Sequence, residues 1–194
     1  MEAETNPVEE KIIEATIECM EKYGVQDTTN RKIAQMAGIN SAAINYYFRS
    51  KEILIGRAME RTLANAFDWK DIASLPGDTP QQHCTAIFCS LVEGGLNYPG
   101  ITRAHFYELL TEGNYDSLIV GRMNDFVVQL CRDLKERGLS LAQGELEAAC
   151  MQITSAVFML ILVPRLFQPG LGLNMADQAQ RERFISRLVE KLLQ

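Results

Sequence analysis

The chain has 194 residues and a formal net charge of −6, and 47% of its residues are hydrophobic. This composition is typical of a folded globular protein, so it excludes a disordered chain and a low-complexity fibrous repeat. The acidic balance also excludes a protein that coats nucleic acid with its whole surface. It leaves room for a local basic face.

Cysteine spacing and the N-terminal segment bear on the compartment and on metal binding. The five cysteines form no C-x-x-C pair and have no histidine arrangement that would complete a zinc site. We therefore expect no metal site, no cofactor and a reducing cytoplasmic location. The segment MEAETNPVEE is acidic ahead of its first apolar run, unlike a secretory signal. The cysteines are Cys19, Cys84, Cys89, Cys131 and Cys150.

An uncharged apolar stretch at 148–164 could be a membrane span or a buried helix. Its 17 residues are at the lower limit of spanning length, and they include Gln152, Thr154 and Ser155 before ending at Pro164. A helix that is apolar on all sides lies either in a protein core or in a membrane. The polar residues favour a central or interface helix, and we expect no membrane partner.

Capping residues and helix breakers delimit the N-terminal elements. Asn6-Pro7 begins a first helix, which Gly24 ends, and Thr28 or Thr29 caps a second helix that runs to about 37. A third helix starts after residue 40 or 41 and runs to about 48. Ser50 caps a fourth, with Glu52 near the position of a capping-box acid.

The remaining helices are predicted at about 51–70, 80–97, 101–112, 115–137, 143–167 and 177–193, separated by Pro and Gly breaks. No run shows the strict alternation of a half-buried strand bounded as a hairpin. The predicted class is therefore all-α. We expect two domains, at 1–50 and 51–194.

Charge is unevenly distributed along the chain. Residues 28–61 carry six basic and two acidic side chains, whereas residues 1–27 carry two basic and eight acidic ones. A polyanion would be attracted to this positive segment alone.

The positive segment coincides with two short helices joined at Gly38, which is the pattern of a helix-turn-helix. Ala34 supplies a small residue for the helix contact. Inward-facing positions are Ile33, Ala37, Ile39, Ile44 and Phe48, packed against Ile13, Ile17 and Met20. Outward positions on the third helix are Ser41, Ala42, Asn45 and Tyr46, which suit a DNA major groove.

The alternative interpretation of this segment is a helical hairpin with a solvated charged face. The charge reversal, the threonines at a helix N-terminus, and Tyr47 with Lys51 favour DNA.

The string T-T-N-R-K-I-A-Q-M-A-G-I-N-S-A-A-I-N-Y-Y-F-R-S-K-E-I-L, with I-I-E-A-T-I-E-C-M-E-K-Y-G before it, strongly resembles the DNA-binding head of TetR-type repressors. The resemblance covers about residues 8–61. The rest of the chain is similar to that family only in length and helical content.

The resemblance implies a role for each matching position on double-stranded operator DNA. The residues that would contact phosphate are Thr28, Thr29, Tyr47 and Lys51. Arg31 would reach a base or the backbone. The recognition helix opens with Asn40, Ser41 and Ala42, with Asn45 and Tyr46 on its exposed side. Ser41-Ala42 replaces a commoner Lys-Gly, and Asn45 replaces a common aromatic residue. Arg31, Asn45 and Tyr46 would therefore carry more of the specificity.

The resemblance also implies that residues 1–50 form the helix-turn-helix DNA-binding domain and that residues 51–194 form a ligand-binding and dimerisation domain, which binds a small-molecule effector and forms a homodimer. Apolar stripes on the last two long helices are the interface candidates, through Phe158, Leu162, Phe184 and Leu188, with a core internal to one chain as the alternative. The candidate ligand pocket is Phe67, Phe88, Arg103, Phe106, Tyr107, Phe126, Met151, Thr154 and Phe158. His105 beside Arg103 could also orient a ligand, although a structural histidine is the favoured interpretation.

Two further functions are weighed against an effector-released repressor. A small helical enzyme would need a nucleophile with a base, and the chain has only His83 and His105, with His83–Cys84 as the sole Cys/His neighbour pair. We therefore expect no catalysis. A cysteine-based redox-sensing regulator would need an exposed thiol with a low pKa, and only Cys131 has a basic neighbour, Arg132.

Overall fold

The computed structural model describes residues 6–194, and these residues form α-helices without any strand. The all-α class predicted from the sequence is confirmed. The helices are α1 Pro7–Tyr23, α2 Asn30–Ala37, α3 Ser41–Phe48, α4 Lys51–Ala66, α5 Trp69–Ala73, α6 Pro80–Asn97, α7 Pro99–Glu112, α8 Leu118–Glu136, α9 Gln143–Leu162, α10 Gln168–Leu171 and α11 Gln178–Leu192.

Local capping chemistry explains where the first four helices begin. The side chain of Asn6 accepts a hydrogen bond from the Val8 amide, and Thr29 accepts one from the Lys32 amide. Asn40 caps α3 in the same way through the Ala42 amide at 2.9 Å. Ser50 accepts from the Ile53 amide at 3.2 Å at the start of α4. Each cap satisfies an amide that has no acceptor within its own helix.

Two predicted helices end earlier than the sequence indicated. The helix predicted at 51–70 stops at Ala66, and α5 begins separately because Asp68 accepts a hydrogen bond from the Lys70 amide at 2.9 Å. The helix predicted at 143–167 ends at Leu162. Pro164 follows closely, and its ring and missing N–H do not allow the helical hydrogen bonds to continue.

The chain forms two compact units that do not coincide with the predicted boundary at 50/51. The first unit contains the described residues up to Asn65 together with Tyr98–Leu118, and the second contains Ala66–Asn97 and Ile119–Gln194. Helix α4 belongs to the first unit because Leu54 and Ala58, both fully buried, pack into its two apolar clusters.

Helix α1 lies between these two clusters of the first unit. One cluster joins α1 to α2, α3 and the start of α4, and it contains Ile12, Ala15, Cys19, Ile33, Ala34, Ala37, Ile44, Phe48 and Leu54. The other consists of Met20, Ala58 and Ile101, with Ile17 packed against it. Ile17 and Met20 therefore face α4 and α7. The sequence analysis predicted that they pack against the helix-turn-helix, so this prediction is wrong for these two residues. Ile13 contacts both clusters.

The start of α7 is held against α1 by a cap from another helix. Tyr98 provides no side-chain cap, and the carboxylate of Glu21 instead accepts a hydrogen bond from the Ile101 amide at 2.9 Å. A Cβ on Gly100 would lie 2.6 Å from the carbonyl oxygen of Glu21. Glycine is thus required for this close approach of the two backbones.

The second unit is built on contacts among α6, α9 and α11. Helix α9 is long and apolar enough to span a membrane by length and composition alone, but about half of this stretch is buried inside the unit. One such helix is weak evidence for a membrane span, because a core helix of a folded protein meets the same criteria of length and composition. Ile185 and Val189 of α11 are fully buried on the same side of their helix.

Candidate nucleic-acid interface

Helices α2 and α3 form a helix-turn-helix whose turn depends on Gly38. Its backbone adopts the left-handed conformation, with φ 62° and ψ 38°, which glycine adopts without a Cβ clash. The following residue, Ile39, donates its amide hydrogen to the Ala34 carbonyl at 3.0 Å. Ala34 is buried, as expected for the small residue where the two helices meet.

The two faces of α3 differ in burial as the sequence predicted. Ile44 and Phe48 lie in the core of the first unit. Four predicted contact residues on the opposite face are exposed: Ser41, Ala42, Asn45 and Tyr46. Tyr46 is 81% exposed, although tyrosine carries a large apolar ring. This face therefore presents short and polar side chains together with one aromatic ring to the solvent.

A contact between α2 and α3 fixes the side chain of Asn45. The side-chain amide of Asn30 donates a hydrogen bond to the Asn45 carbonyl oxygen at 3.3 Å. The Asn45 amide group still has its own hydrogens to donate to an acceptor on a base edge. Sequence analysis missed Asn30 as a supporting residue, and the available signal was its position directly after the Thr29 cap.

The N-terminus of α2 combines exposed donors with a positive helix end. Thr29 and Arg31 are exposed, and no acidic residue lies in the first turn. The first amides of a helix have no intrahelical acceptor, so they point outwards as donors. This arrangement, with a cation beside it, is suited to a phosphate group.

Thr28 does not share this exposed position. Its side chain is fully buried, and its hydroxyl donates to the Gly24 carbonyl at 2.8 Å. Its amide donates to the Val25 carbonyl at 3.3 Å. The hydroxyl predicted to contact phosphate instead closes the turn between α1 and α2, so this prediction does not fit the structure.

Tyr47 and Lys51 lie at the other end of α3, and both are partly exposed. The Tyr47 ring packs edge-on against Tyr46, with 5.0 Å between ring centroids. Lys51 is the first residue of α4. Lys32 is less available, because its Nζ donates to the Asp27 carbonyl at 2.8 Å and lies 4.3 Å from the centre of the Tyr23 ring.

The residues predicted to line a ligand pocket are divided between the two units. In the second unit, the rings of Phe67, Phe88 and Trp69 pack edge-on around buried Phe126. Thr154 and Phe158 are also buried there, while Met151 is exposed. The other three predicted residues belong to the first unit, where Phe106 is buried and Arg103 and Tyr107 are exposed.

His105 has a structural role within the first unit. The Thr62 hydroxyl donates to the Met59 carbonyl at 2.9 Å and lies 2.8 Å from His105 Nε2. Since a hydroxyl has one hydrogen, His105 must be the donor in the second bond. Burial lowers the pKa of His105 to about 4, so the ring is neutral at physiological pH.

The environments of the cysteines and of His83 favour neither of the two alternative functions, redox sensing and catalysis. Burial raises the pKa of all five thiols, which opposes the thiolate that redox sensing and nucleophilic catalysis need. His83 is fully buried, with Nδ1 2.9 Å from the Leu75 carbonyl and Nε2 3.2 Å from the Asp133 carboxylate. It connects the turn before α6 to α8.

Comparisons with known sequences match the helix-turn-helix part of the chain to bacterial transcriptional regulators. Residues 12–58 match the family model described as bacterial regulatory proteins, tetR family. The chain is 32% identical over 78 residues to the HTH-type transcriptional regulator BetI 1 of Chromohalobacter salexigens, covering 40% of this chain and 39% of that protein. It is 28% identical over 96 residues to BetI of Escherichia coli, covering 48% and 47%. The matched region thus spans less than half the length of these curated relatives.

Solved structures share the fold over nearly the whole chain. A structure from Mesorhizobium loti, assigned to the TetR family of transcriptional regulators, has a TM-score of 0.71 at 19% identity and covers 99% of this chain and 98% of its own. A TetR/AcrR-family regulator from Thermobifida fusca has a TM-score of 0.66 at 22% identity, covering 95% and 97%. At these identities the likeness establishes the fold.

Proposed function

We propose that this chain is a TetR-type, sequence-specific DNA-binding transcriptional regulator, because residues 12–58 match the tetR family model and the chain shares its fold with TetR-family structures. The observation that carries the proposal is the exposed face of α3, which stands beside the donor-rich N-terminus of α2 in the one strongly basic part of the sequence. In this role the protein is a cytoplasmic repressor without catalytic activity.

On DNA, the exposed residues divide into two groups. Arg31, Asn45 and Tyr46 read base edges in the major groove, together with the first turn of α3. Thr29, Tyr47 and Lys51 hold the phosphate backbone on either side, and these contacts supply most of the affinity. Asn30 supports Asn45 through the hydrogen bond between their side chains.

Two substitutions separate these roles. Lys51→Ala is expected to weaken binding to operator and random DNA alike. The salt dependence, which is the slope of the logarithm of the binding constant against the logarithm of the salt concentration, is expected to become shallower by about one unit per head. Asn45→Ala is expected to cost about 1–3 kcal/mol on the operator with little change on random DNA. The measurement is a salt titration of both variants on both DNAs. Equal losses on both DNAs for both variants would contradict the assignment.

The regulator acts as a homodimer through the second compact unit. Several apolar side chains in and after α9 are exposed in a single chain, among them Met151, Met159, Leu166 and Phe167. A groove of about 350 Å³ runs along α11 beside Phe184 and Leu188, with Leu173 and Met175 in its lining. A second copy would cover this apolar surface. Two-fold symmetry would then place two heads on major grooves roughly 34–36 Å apart.

The predicted interface set needs one change. Phe158 is 8% exposed and lies in the interior of its own unit, so it does not face a partner. Leu162, Phe184 and Leu188 are partly exposed and remain candidates. Met159, the neighbour of Phe158, is 52% exposed and takes its place in the proposed interface.

An effector bound in the second unit would release the operator by favouring a different separation of the heads. Support comes from the aromatic group around Phe126 and from the Thr154 hydroxyl, which is buried and has no hydrogen-bond partner among the described residues. The test is mass spectrometry of small molecules released from the protein purified from its own host, followed by operator binding with each compound added. Compounds that bind without changing operator affinity would contradict effector release.

A further inference from the structure

Arg49, between α3 and α4, has an unusual backbone conformation. Its φ is 58° and its ψ is −42°. Among residues 6–194, it is the one non-glycine residue with a positive φ. In that region the Cβ of an L-residue comes close to a backbone carbonyl, so glycine is the residue that adopts it without strain.

The short connection between the two helices accounts for this conformation. Helix α3 ends at Phe48 and α4 begins at Lys51, and both Phe48 and Leu54 are buried in the same apolar cluster. The Arg49 amide donates to the Asn45 carbonyl at 3.1 Å, and the Ser50 amide donates to the Phe48 carbonyl at 2.5 Å. These backbone contacts use no atom of the Arg49 side chain, so glycine would satisfy them as well.

The Arg49 side chain has no evident role in folding. It is exposed, and it takes part in no hydrogen bond or ion pair recorded within the described part of the chain. Arg49 lies within three residues of Tyr46, Tyr47 and Lys51 in the sequence, and these three residues belong to the proposed DNA-binding face. A strained position that carries a long unpaired cation is therefore better explained by an external anion than by the fold.

We infer that Arg49 is a phosphate-binding residue that follows the recognition helix, an inference that rests on the proposed DNA-binding function. The end of a recognition helix and the residues after it contact the DNA backbone in related motifs, whereas its first turns reach the bases. A guanidinium group binds phosphate oxygens through two parallel hydrogen bonds. The positive φ of Arg49 determines the direction in which this side chain leaves the turn.

Two variants that both remove the charge, but differ in whether the backbone strain remains, test the inference. Arg49→Gly removes the charge and the strain, whereas Arg49→Gln removes the charge and keeps a long side chain at a positive φ. Both are expected to bind DNA about tenfold more weakly, on operator and random sequences alike, with a salt dependence lower by about one unit per head. The thermal midpoint of Arg49→Gly is expected to equal or exceed that of the wild type.

Arg132→Gln is the matched control, because Arg132 is an exposed arginine on α8 in the second compact unit. It removes the same charge and is expected to leave the salt dependence unchanged. Wild-type salt dependence in Arg49→Gln, or a lower thermal midpoint in Arg49→Gly, would overturn the inference. Failure of the wild type to bind any DNA would instead overturn the proposed function.

Discussion

Replacing Ile44 by alanine is expected to lower the free energy of unfolding by about 2–5 kcal/mol. Ile44 is 1% exposed and packs in the cluster that joins α1, α2, α3 and the start of α4. Truncation would remove apolar contacts and leave a cavity that helices held by short turns cannot close. DNA binding should fall with stability, because the recognition helix has no other apolar anchor of this size besides Phe48.

Ile53→Ala is the matched control for this prediction. Ile53 is 51% exposed on α4, so the same deletion of side-chain atoms should change stability by only about 0.5 kcal/mol. Denaturant unfolding of the full chain, followed by helical circular dichroism, provides the comparison. Equal losses for Ile44→Ala and Ile53→Ala would contradict the placement of Ile44 in the core.

The first four helices were predictable because their boundaries depend on local chemistry. Thr29, Asn40 and Ser50 each cap the helix that follows by accepting a hydrogen bond from its first turn, and the preference for such caps is visible in the sequence. Gly38 marks the turn for an equally local reason. The exposed face of α3 followed from these boundaries, since helical periodicity then determines which side chains share a face with Ile44.

Contacts between distant segments could not be predicted in the same way. The burial of Thr28 depends on how the turn after α1 folds back, and the cap on α7 comes from Glu21, 80 residues earlier in the chain. Phe158 and Met159 are adjacent apolar residues on α9, and periodicity alone does not decide which of them faces the core. Helices α6 and α11 pack against α9, and the side of α9 that is buried depends on such contacts between residues far apart in sequence.

Placing glutamate at Leu188 is expected to dissociate the proposed dimer. Leu188 lines the apolar groove on α11 with Phe184, so in a two-fold dimer the change would bring two carboxylates into one apolar seam. An unpaired charge in such a seam is costly enough to separate the subunits. Operator affinity should then fall by several orders of magnitude, because a single head makes half of the phosphate contacts.

Ala179→Glu adds the same charge to the exposed first turn of α11, at a residue that does not itself line the groove, and should remain dimeric. Sedimentation velocity of both variants beside the wild type gives the oligomeric state, and circular dichroism establishes whether each variant is folded. A folded, dimeric Leu188→Glu with unchanged operator binding would exclude α11 from the interface. The dimer would then have to form through the exposed apolar residues of α9 and the segment after it, with Met159 as the next position to substitute.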